Sequence, residues 1–233
     1  MIKMELKIFN STTEWEEAVL DRVLDVIAYD SNVLIGLAGG KTPISIYERL
    51  GFSVLDKSTW AKTHFVIIDE RDVEYKSNDS NYGVISRSMP SGHFLFFDQK
   101  FNDPVETAKN MDRNLRLYKQ GKYIFDLLIL GMGEDGHVAS IFPGFSTEKF
   151  FNEKMLAVRT KVPNNQFEDR YTLTFTALNS SKEVILLVKG SEKIRLLKAF
   201  KQGDYQLHDA NEYPIINVLK TVPVTVFALD DKM

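Results

Sequence analysis

An aspartate and a histidine stand two positions apart directly after a segment that predicts a buried strand. Segment 126–144 reads DLLILGMGEDGHVASIFPG, and its apolar run Leu127–Leu130 is typical of a strand covered on both faces of a parallel sheet. The glycines that follow allow a sharp turn. Open α/β sheets bind ligands beyond the carboxyl ends of their strands. We therefore expect Asp135 and His137 to be catalytic, with the histidine as a base that works near neutral pH.

The same segment fits a dinucleotide-binding pattern, which we considered and rejected. Residues 131–136 match G-x-G-x-x-G, but that pattern indicates a nucleotide site only where a helix follows. Pro143 comes too soon for such a helix, and Glu134 and Asp135 would place two negative charges against a pyrophosphate. We expect no nicotinamide or flavin cofactor. A glycine-rich loop with a solvated acidic pair is the plainest alternative.

Two junctions between a strand, glycine and a helix are suited to binding an anion. The apolar run Val33–Leu37 leads into a glycine turn, and Pro43 suits the first position of the helix that follows. A junction of this kind aims free backbone N–H groups at an anion. A second junction opens a helix over 191–202 that carries Lys193, although a tight turn and a solvated helix face are the alternatives. The residues of the first turn are Gly39, Gly40, Lys41 and Thr42.

A charged cluster follows the third predicted strand, His64 to Ile68. It reads DERD at 69–72 and is either a solvated loop or, if the strands are parallel, part of the same sheet edge as the glycine turns. Asp69 or Glu70 is therefore a candidate functional carboxylate. Further along, the polar, aperiodic stretch 163–169 predicts a mobile loop over the site.

The alternation of strands and helices predicts one α/β domain over residues 1–233. We expect a Rossmann-like, mostly parallel sheet that takes in all the strands and carries helices on both faces. The predicted strands are 3–9, 33–37, 64–68, 94–97, 126–131, 155–158, 171–175, 184–188 and 222–229. The predicted helices are 13–30, 44–50, 81–89, 104–121, 191–202 and 214–220.

Composition narrows the class of protein. The chain has 233 residues, 44% of them hydrophobic, and a net charge of −3, which gives no basic surface for nucleic acid. No apolar run approaches the roughly 20 residues of a membrane span, and no signal peptide is visible at the start. The absence of cysteine excludes disulfides and thiolate ligands, and the four histidines show no zinc-binding spacing. We expect a cytoplasmic enzyme without metal or cofactor that acts on a small phosphorylated substrate.

The motifs together resemble those of the 6-phosphogluconolactonases, in the superfamily that also holds the glucosamine-6-phosphate deaminases. They come in family order across nearly the whole chain, and the central segment is the most specific. The matching segments are GGKTP (39–43), DERDV (69–73) with SN (80–81), LGMGEDGHVASIFPG (130–144), RYTLT (170–174) and GSEK (190–193).

The resemblance implies hydrolysis of a 6-phosphoglucono-δ-lactone ester in the pentose phosphate pathway. By this likeness His137 is the base that activates water, and Asp135 orients its imidazole. Arg170, Lys193 and the turn 39–42 match positions that hold the phosphate or line the site.

Two more residues join the predicted site through the resemblance. Asp69 matches the proton-transfer aspartate of the deaminases and is included with the catalytic residues. Arg71 is included with the substrate-binding residues, and deaminases tend to have tyrosine there. Ala38 departs from the family, whose members often have serine before the glycine pair.

Two alternatives stay open from sequence. A deaminase-like isomerase would need a glutamate where this chain has Phe142, a side chain that cannot do acid–base chemistry. A phosphosugar sensor without catalysis would keep the phosphate-holding residues and lose the catalytic ones, whereas this chain retains Asp135 and His137. The sequence leaves open whether the protein is a monomer or a homodimer.

Overall fold

A seven-stranded parallel sheet forms the centre of the molecule. The computed structural model describes residues 2–29, 32–53, 56–101, 103–118, 121–145, 148–151, 154–203 and 211–230. The strands in these ranges are β1 (Met4–Phe9), β2 (Val33–Leu37), β3 (Thr63–Ile67), β4 (Asp69–Arg71), β5 (His93–Leu95), β6 (Phe125–Gly131), β7 (Ala157–Lys161), β8 (Asp169–Leu173), β9 (Ser181–Lys189) and β10 (Val224–Leu229). The parallel sheet has the order β1-β10-β9-β6-β2-β3-β5.

Helices cover both faces of this sheet. The helices in the described ranges are α1 (Thr12–Tyr29), α2 (Ile44–Gly51), α3 (Lys57–Lys62), α4 (Asn81–Ser88), α5 (Pro104–Tyr118), α6 (Phe175–Leu178), α7 (Ser191–Gln202) and α8 (Ile215–Thr221). Buried side chains of α1 to α4 form one core with one face, and those of α5 to α8 form a second core with the other. The predicted fold class is therefore confirmed. None of these helices has the length and hydrophobicity that crossing a membrane requires.

Strand β6 shows why an unbroken apolar run marks a central strand. Leu127 and Ile129 belong to the core under α1 and α2, whereas Leu128 and Leu130 belong to the core on the opposite face. All four side chains are fully buried, because successive side chains of a strand point to opposite faces and both faces are covered.

The strand order reverses direction beside β6. From β2 the chain builds outward through β3 and β5, and from β6 it builds the other way through β9 and β10. The switch therefore lies between β2 and β6, which pair through Ile35 with Leu127 and Leu37 with Ile129. Open α/β sheets bind ligands in the crevice at such a switch point.

One prediction about the sheet was wrong. Strands β4, β8 and β7 form a separate three-stranded antiparallel sheet. The short connection between β7 and β8 suits only an antiparallel pair. Ile68 joins the two sheets, since its N–H donates to Leu37 O at 3.2 Å and its carbonyl accepts from Leu173 N at 2.8 Å. The cluster 69–72, for which a solvated loop was one of two interpretations, thus begins with a strand.

Most predicted elements are present with shifted ends, and two short helices were missed. Strand β7 runs three residues beyond the predicted end at 158, and β8 begins at Asp169 rather than 171. Helix α5 is described as far as Tyr118, and residues 119–120 of the predicted fourth helix and residue 30 of the predicted first helix lie outside the described residues. Helices α3 and α6 are too short to show a helical period in sequence.

Candidate active site

A cleft of about 260 Å³ opens at the carboxyl ends of β2 and β6. It brings together most of the residues that the sequence singled out. Lys41 is exposed and does not line the cleft, and Asp135 reaches it only through its contact with His137. The predicted residues that line the cleft are Gly39, Gly40, Thr42, Asp69, Arg71, His137, Arg170 and Lys193.

Asp135 and His137 form a hydrogen-bonded pair. Asp135 Oδ1 lies 2.6 Å from Nδ1 of His137 and also accepts from the backbone N–H of His137 at 3.1 Å. Burial alone would raise the pKa of Asp135, but the hydrogen bonds from His137 outweigh it and the pKa is lowered. The ionised carboxylate therefore accepts a hydrogen bond from a protonated Nδ1, which leaves Nε2 of the imidazole able to accept a proton.

The turn that carries this pair depends on glycine at two positions. Gly133 N donates to His137 O at 3.0 Å, and a Cβ at Gly133 would lie 2.1 Å from Nδ1 of His137. Gly136 N donates to Gly133 O at 3.1 Å with a φ of +76°, a left-handed angle that favours glycine. The pair and the turn are thus one unit, because only the absence of a side chain at Gly133 leaves room for the imidazole.

The segment after Gly136 folds back and does not start a helix. Val138 and Ile141 form a bridge through two backbone hydrogen bonds, and Ala139 between them has a φ of +50°. Between Gly131 and Phe145 the described chain therefore lacks the helix start that a G-x-G-x-x-G nucleotide site needs.

The two neighbouring carboxylates after β3 have different surroundings. Glu70 is buried and accepts hydrogen bonds from Arg71 N, Asn81 N, Tyr82 N and Ser80 Oγ. Burial raises the pKa of Glu70 against the effect of these hydrogen bonds. Since two of its partners are the first N–H groups of α4 and a third is the hydroxyl of Ser80, which caps that helix, Glu70 holds the start of α4.

Asp69 instead faces the cleft within a buried polar network. Its Oδ2 accepts from Ser140 Oγ at 2.7 Å, and its Oδ1 lies 3.3 Å from Nδ2 of Asn81. Ser140 Oγ in turn lies 3.4 Å from Nη1 of Arg170. The structure thus adds Ser140 and Asn81 to the predicted site, and the only sequence signal for either was its place inside a motif.

Arg170 connects the cleft to the loop 163–169. Its Nε donates to Phe167 O and its Nη2 to Asn165 Oδ1, each at 2.8 Å. Burial lowers the pKa of Arg170, and the nearby carboxylate of Asp69 offsets this only in part. The guanidinium nevertheless stays charged across the physiological range. The loop predicted to be mobile is closed by a hydrogen bond from Val162 N to Glu168 O at 2.8 Å.

Arg71 brings a second guanidinium to the same wall. Its Nη1 donates to Asp79 O at 2.7 Å, and its guanidinium carbon lies 5.8 Å from the ring centre of Phe167. Its Nε is buried without a hydrogen-bond partner among the described residues. Arg71 thus adds a second positive charge to the lining of the cleft.

Helices α2 and α7, which begin beside the cleft, lack a side-chain cap. Pro43 precedes α2 and Gly190 precedes α7, and neither offers a side-chain acceptor to the first N–H groups. Tyr47 of α2 fixes the glycine turn by donating to Ala38 O at 3.0 Å. Lys193, in the first turn of α7, is partly buried and lines the cleft. The arrangement is suited to an anion held by backbone N–H groups and cations.

The polar groups of the cleft do not group into a metal site. In the part of the chain that the structure describes, no three histidine, aspartate or glutamate side chains lie close enough together to hold a metal ion. The chemistry available from these residues is proton transfer at His137 beside a set of cations for an anionic group.

A family model described as glucosamine-6-phosphate isomerases/6-phosphogluconolactonase matches residues 10–227. The chain belongs to this family. A 6-phosphogluconolactonase from Thermotoga maritima is 35% identical over 188 residues, which is 78% of this chain and 80% of the relative. A probable 6-phosphogluconolactonase from Dictyostelium discoideum is 32% identical over 215 residues, 88% of this chain and 87% of the relative.

Solved structures of the family have the same fold. The crystal structure of the Thermotoga maritima 6-phosphogluconolactonase superimposes with a TM-score of 0.77 at 28% identity, over 98% of this chain and 100% of the other. The 6-phosphogluconolactonase from Trypanosoma brucei gives a TM-score of 0.84 at 24% identity, over 99% and 98%. The resemblance drawn from the motifs is therefore confirmed for family and fold, and the roles of individual residues stay predictions.

Proposed function

We propose that the protein hydrolyses 6-phospho-D-glucono-1,5-lactone to 6-phosphogluconate, a step of the oxidative pentose phosphate pathway, without a metal ion. The observation that carries the proposal is the Asp135–His137 pair at the edge of a cleft that also holds Arg170, Arg71 and Lys193. The names of the relatives in the family support the same substrate.

In the proposed reaction His137 is the general base. Its Nε2 takes a proton from a water molecule as the water oxygen attacks the lactone carbonyl carbon, which gives a tetrahedral oxyanion. The oxyanion collapses, the bond to the ring oxygen breaks, and the imidazolium returns its proton to that oxygen. Asp135 keeps Nδ1 protonated and stabilises the positive charge that forms on the imidazole.

The phosphate of the substrate binds away from the reacting carbon. Arg170, Arg71 and Lys193 supply the charges for it, and this binding places the lactone against His137. For the oxyanion, the N–H groups of Gly133 and Gly136 already donate to backbone carbonyls. The glycine turn at 39–40 is therefore the better candidate donor. Asp69, hydrogen-bonded and in the cleft, orients the network on Arg170.

The structure gives no support to the deaminase alternative at residue 142. Phe142 packs against His137 where acid–base chemistry would need a titratable group. A sensor without catalysis would have no use for a paired carboxylate and imidazole, so the intact pair favours an enzyme.

The test is hydrolysis itself. The lactone is generated in the assay and its loss is followed above the spontaneous rate, with glucosamine 6-phosphate tested in parallel for ammonia release. We expect faster lactone loss and no ammonia. Ammonia release would replace the lactonase by a deaminase, and phosphosugar binding without turnover of either compound would make the protein a sensor.

A further inference from the structure

The ring of Phe142 contacts two side chains of the proposed site. Its centre lies 4.2 Å from the centre of the His137 imidazole with 22° between the planes, which is a stacked geometry. The guanidinium carbon of Arg170 lies 5.4 Å from the centre of the same ring. One apolar side chain thus touches both the proposed base and a proposed phosphate ligand.

The backbone around Phe142 is fixed from several sides. Val138 and Ile141, both fully buried, form the bridge that precedes it. Ser140 N donates to Thr172 Oγ1 of β8 at 3.2 Å, which ties this segment to the small sheet. Phe142 O accepts from Phe145 N at 3.2 Å and closes the turn at Pro143. The backbone that carries the ring is therefore held by the fold.

We propose that Phe142 is a positioning residue for the reaction, and that its ring sets the placement of the His137 imidazole and the Arg170 guanidinium relative to each other. This inference rests on the proposed function, since it assigns one residue's part in that reaction. The hydrogen bond to Asp135 fixes one edge of the imidazole but leaves the ring free to tilt about it. Stacking against a flat face restricts that tilt.

Both kinetic constants depend on this placement. If the imidazole tilts, Nε2 no longer points at the attacking water. Small misplacements of a catalytic group lower kcat strongly. A displaced Arg170 guanidinium would bind the phosphate more weakly. The contact with Arg170 is a cation–π contact that an aliphatic residue cannot reproduce.

The experiment compares Phe142→Leu, which keeps apolar bulk but removes the flat face, with Phe142→Tyr, which keeps the face. We expect Phe142→Leu to lower kcat about tenfold to a hundredfold and to raise KM for the lactone. Phe142→Tyr should keep both constants within about threefold of the wild type. Phe145→Leu is the matched control, because Phe145 lies in the same segment, is exposed and does not line the cleft. It should behave as the wild type.

Two further measurements separate positioning from a general effect on the fold. If Phe142 acts on KM through Arg170, then Phe142→Leu combined with Arg170→Ala should have the KM of Arg170→Ala alone. In proton NMR, the imidazole C–H signals of His137 should show the upfield shift caused by an aromatic face. That shift should be lost in Phe142→Leu and kept in Phe142→Tyr. The chain has four histidines, and a His137→Gln variant identifies the signals.

Wild-type kcat and KM in Phe142→Leu would overturn the inference while the proposed function stood. A lowered melting temperature with unchanged kinetic constants would overturn it as well and make the role structural. A wild-type protein that does not hydrolyse the lactone would overturn the proposed function, and the NMR signals would still decide whether Phe142 holds the imidazole.

Discussion

At the scale of single residues, the site depends on how closely side chains and backbone approach one another. Gly133 is the clearest case, because a Cβ there would lie 2.1 Å from Nδ1 of His137 and 2.4 Å from Oδ1 of Asp135. The imidazole cannot yield easily, since it is stacked on Phe142. A methyl group at Gly133 should therefore separate the pair without removing any catalytic atom.

Gly133→Ala should lower kcat for the lactone about a hundredfold, since general base catalysis contributes about 10²- to 10⁴-fold and the variant disturbs the base. Glu134→Ala is the control, because Glu134 lies in the same turn, is exposed and does not line the cleft. Steady-state kinetics of both variants test this. If kcat falls equally in the two variants, the clash of a Cβ at Gly133 with His137 is not the cause of the loss.

Arg170 offers a second test at this scale. Arg170→Ala removes a buried guanidinium that is proposed to bind phosphate, so KM should rise about tenfold or more while kcat changes little. Asn165→Ala leaves the guanidinium in place and removes two hydrogen bonds of the loop, from Nη2 and from Phe167 N to Asn165 Oδ1, so it should raise KM much less. If both variants raise KM equally, Arg170 acts through the loop 163–169 and not on the phosphate.

At the scale of elements, each group of site residues is placed by the end of a strand or the start of a helix. The end of β6 carries the Asp135–His137 turn, the end of β2 leads to the glycine turn, and β4 carries Asp69 beside Arg170 of β8. Glu70 fixes α4 against β4, because each of its two oxygens accepts two hydrogen bonds. Helix α4 in turn carries Asn81 to the carboxylate of Asp69.

Glu70→Gln should therefore lower stability more than a surface substitution does. The amide nitrogen would face two donors, and a buried polar group left without partners costs about 1–3 kcal/mol. Glu74→Gln, at an exposed carboxylate on the same connection, should change the free energy of unfolding by less than about 0.5 kcal/mol. Urea unfolding measures both. A Glu70→Gln variant as stable as the wild type would show that the four hydrogen bonds do not hold α4.

At the scale of the whole molecule, the parallel sheet and the location of the site could be predicted because they depend on local patterns. The run Leu127–Leu130 marked the central strand, and glycines after two apolar runs marked the strand ends that meet at the cleft. The small antiparallel sheet could not be predicted. It pairs β4 with β8, about a hundred residues later in the chain, and no pattern within either strand encodes that pairing.

The sequence missed some site residues for the same reason, because contacts between distant parts of the chain leave no local pattern. Asp135 and His137 are neighbours in sequence, so their pairing could be expected. Ser140 meets Asp69 across 71 positions of the chain. The position of Ser140 beside Asp69 depends on the second sheet and on the left-handed φ of Ala139. Likewise, the residue pattern alone did not separate Asp69 from Glu70, and Asp69 was chosen only through the resemblance, because the approach of α4 decides which carboxylate turns away from the cleft.

The most direct test of the account is the turnover of 6-phosphogluconolactone by His137→Ala beside wild type. His93→Ala serves as the control, since His93 is exposed at the start of β5, the opposite end of the sheet. We expect kcat of His137→Ala to fall about 10²- to 10⁴-fold with a modest change in KM, and His93→Ala to match wild type. A His137→Ala variant that keeps kcat within about threefold of wild type would contradict the assignment of His137 as the base.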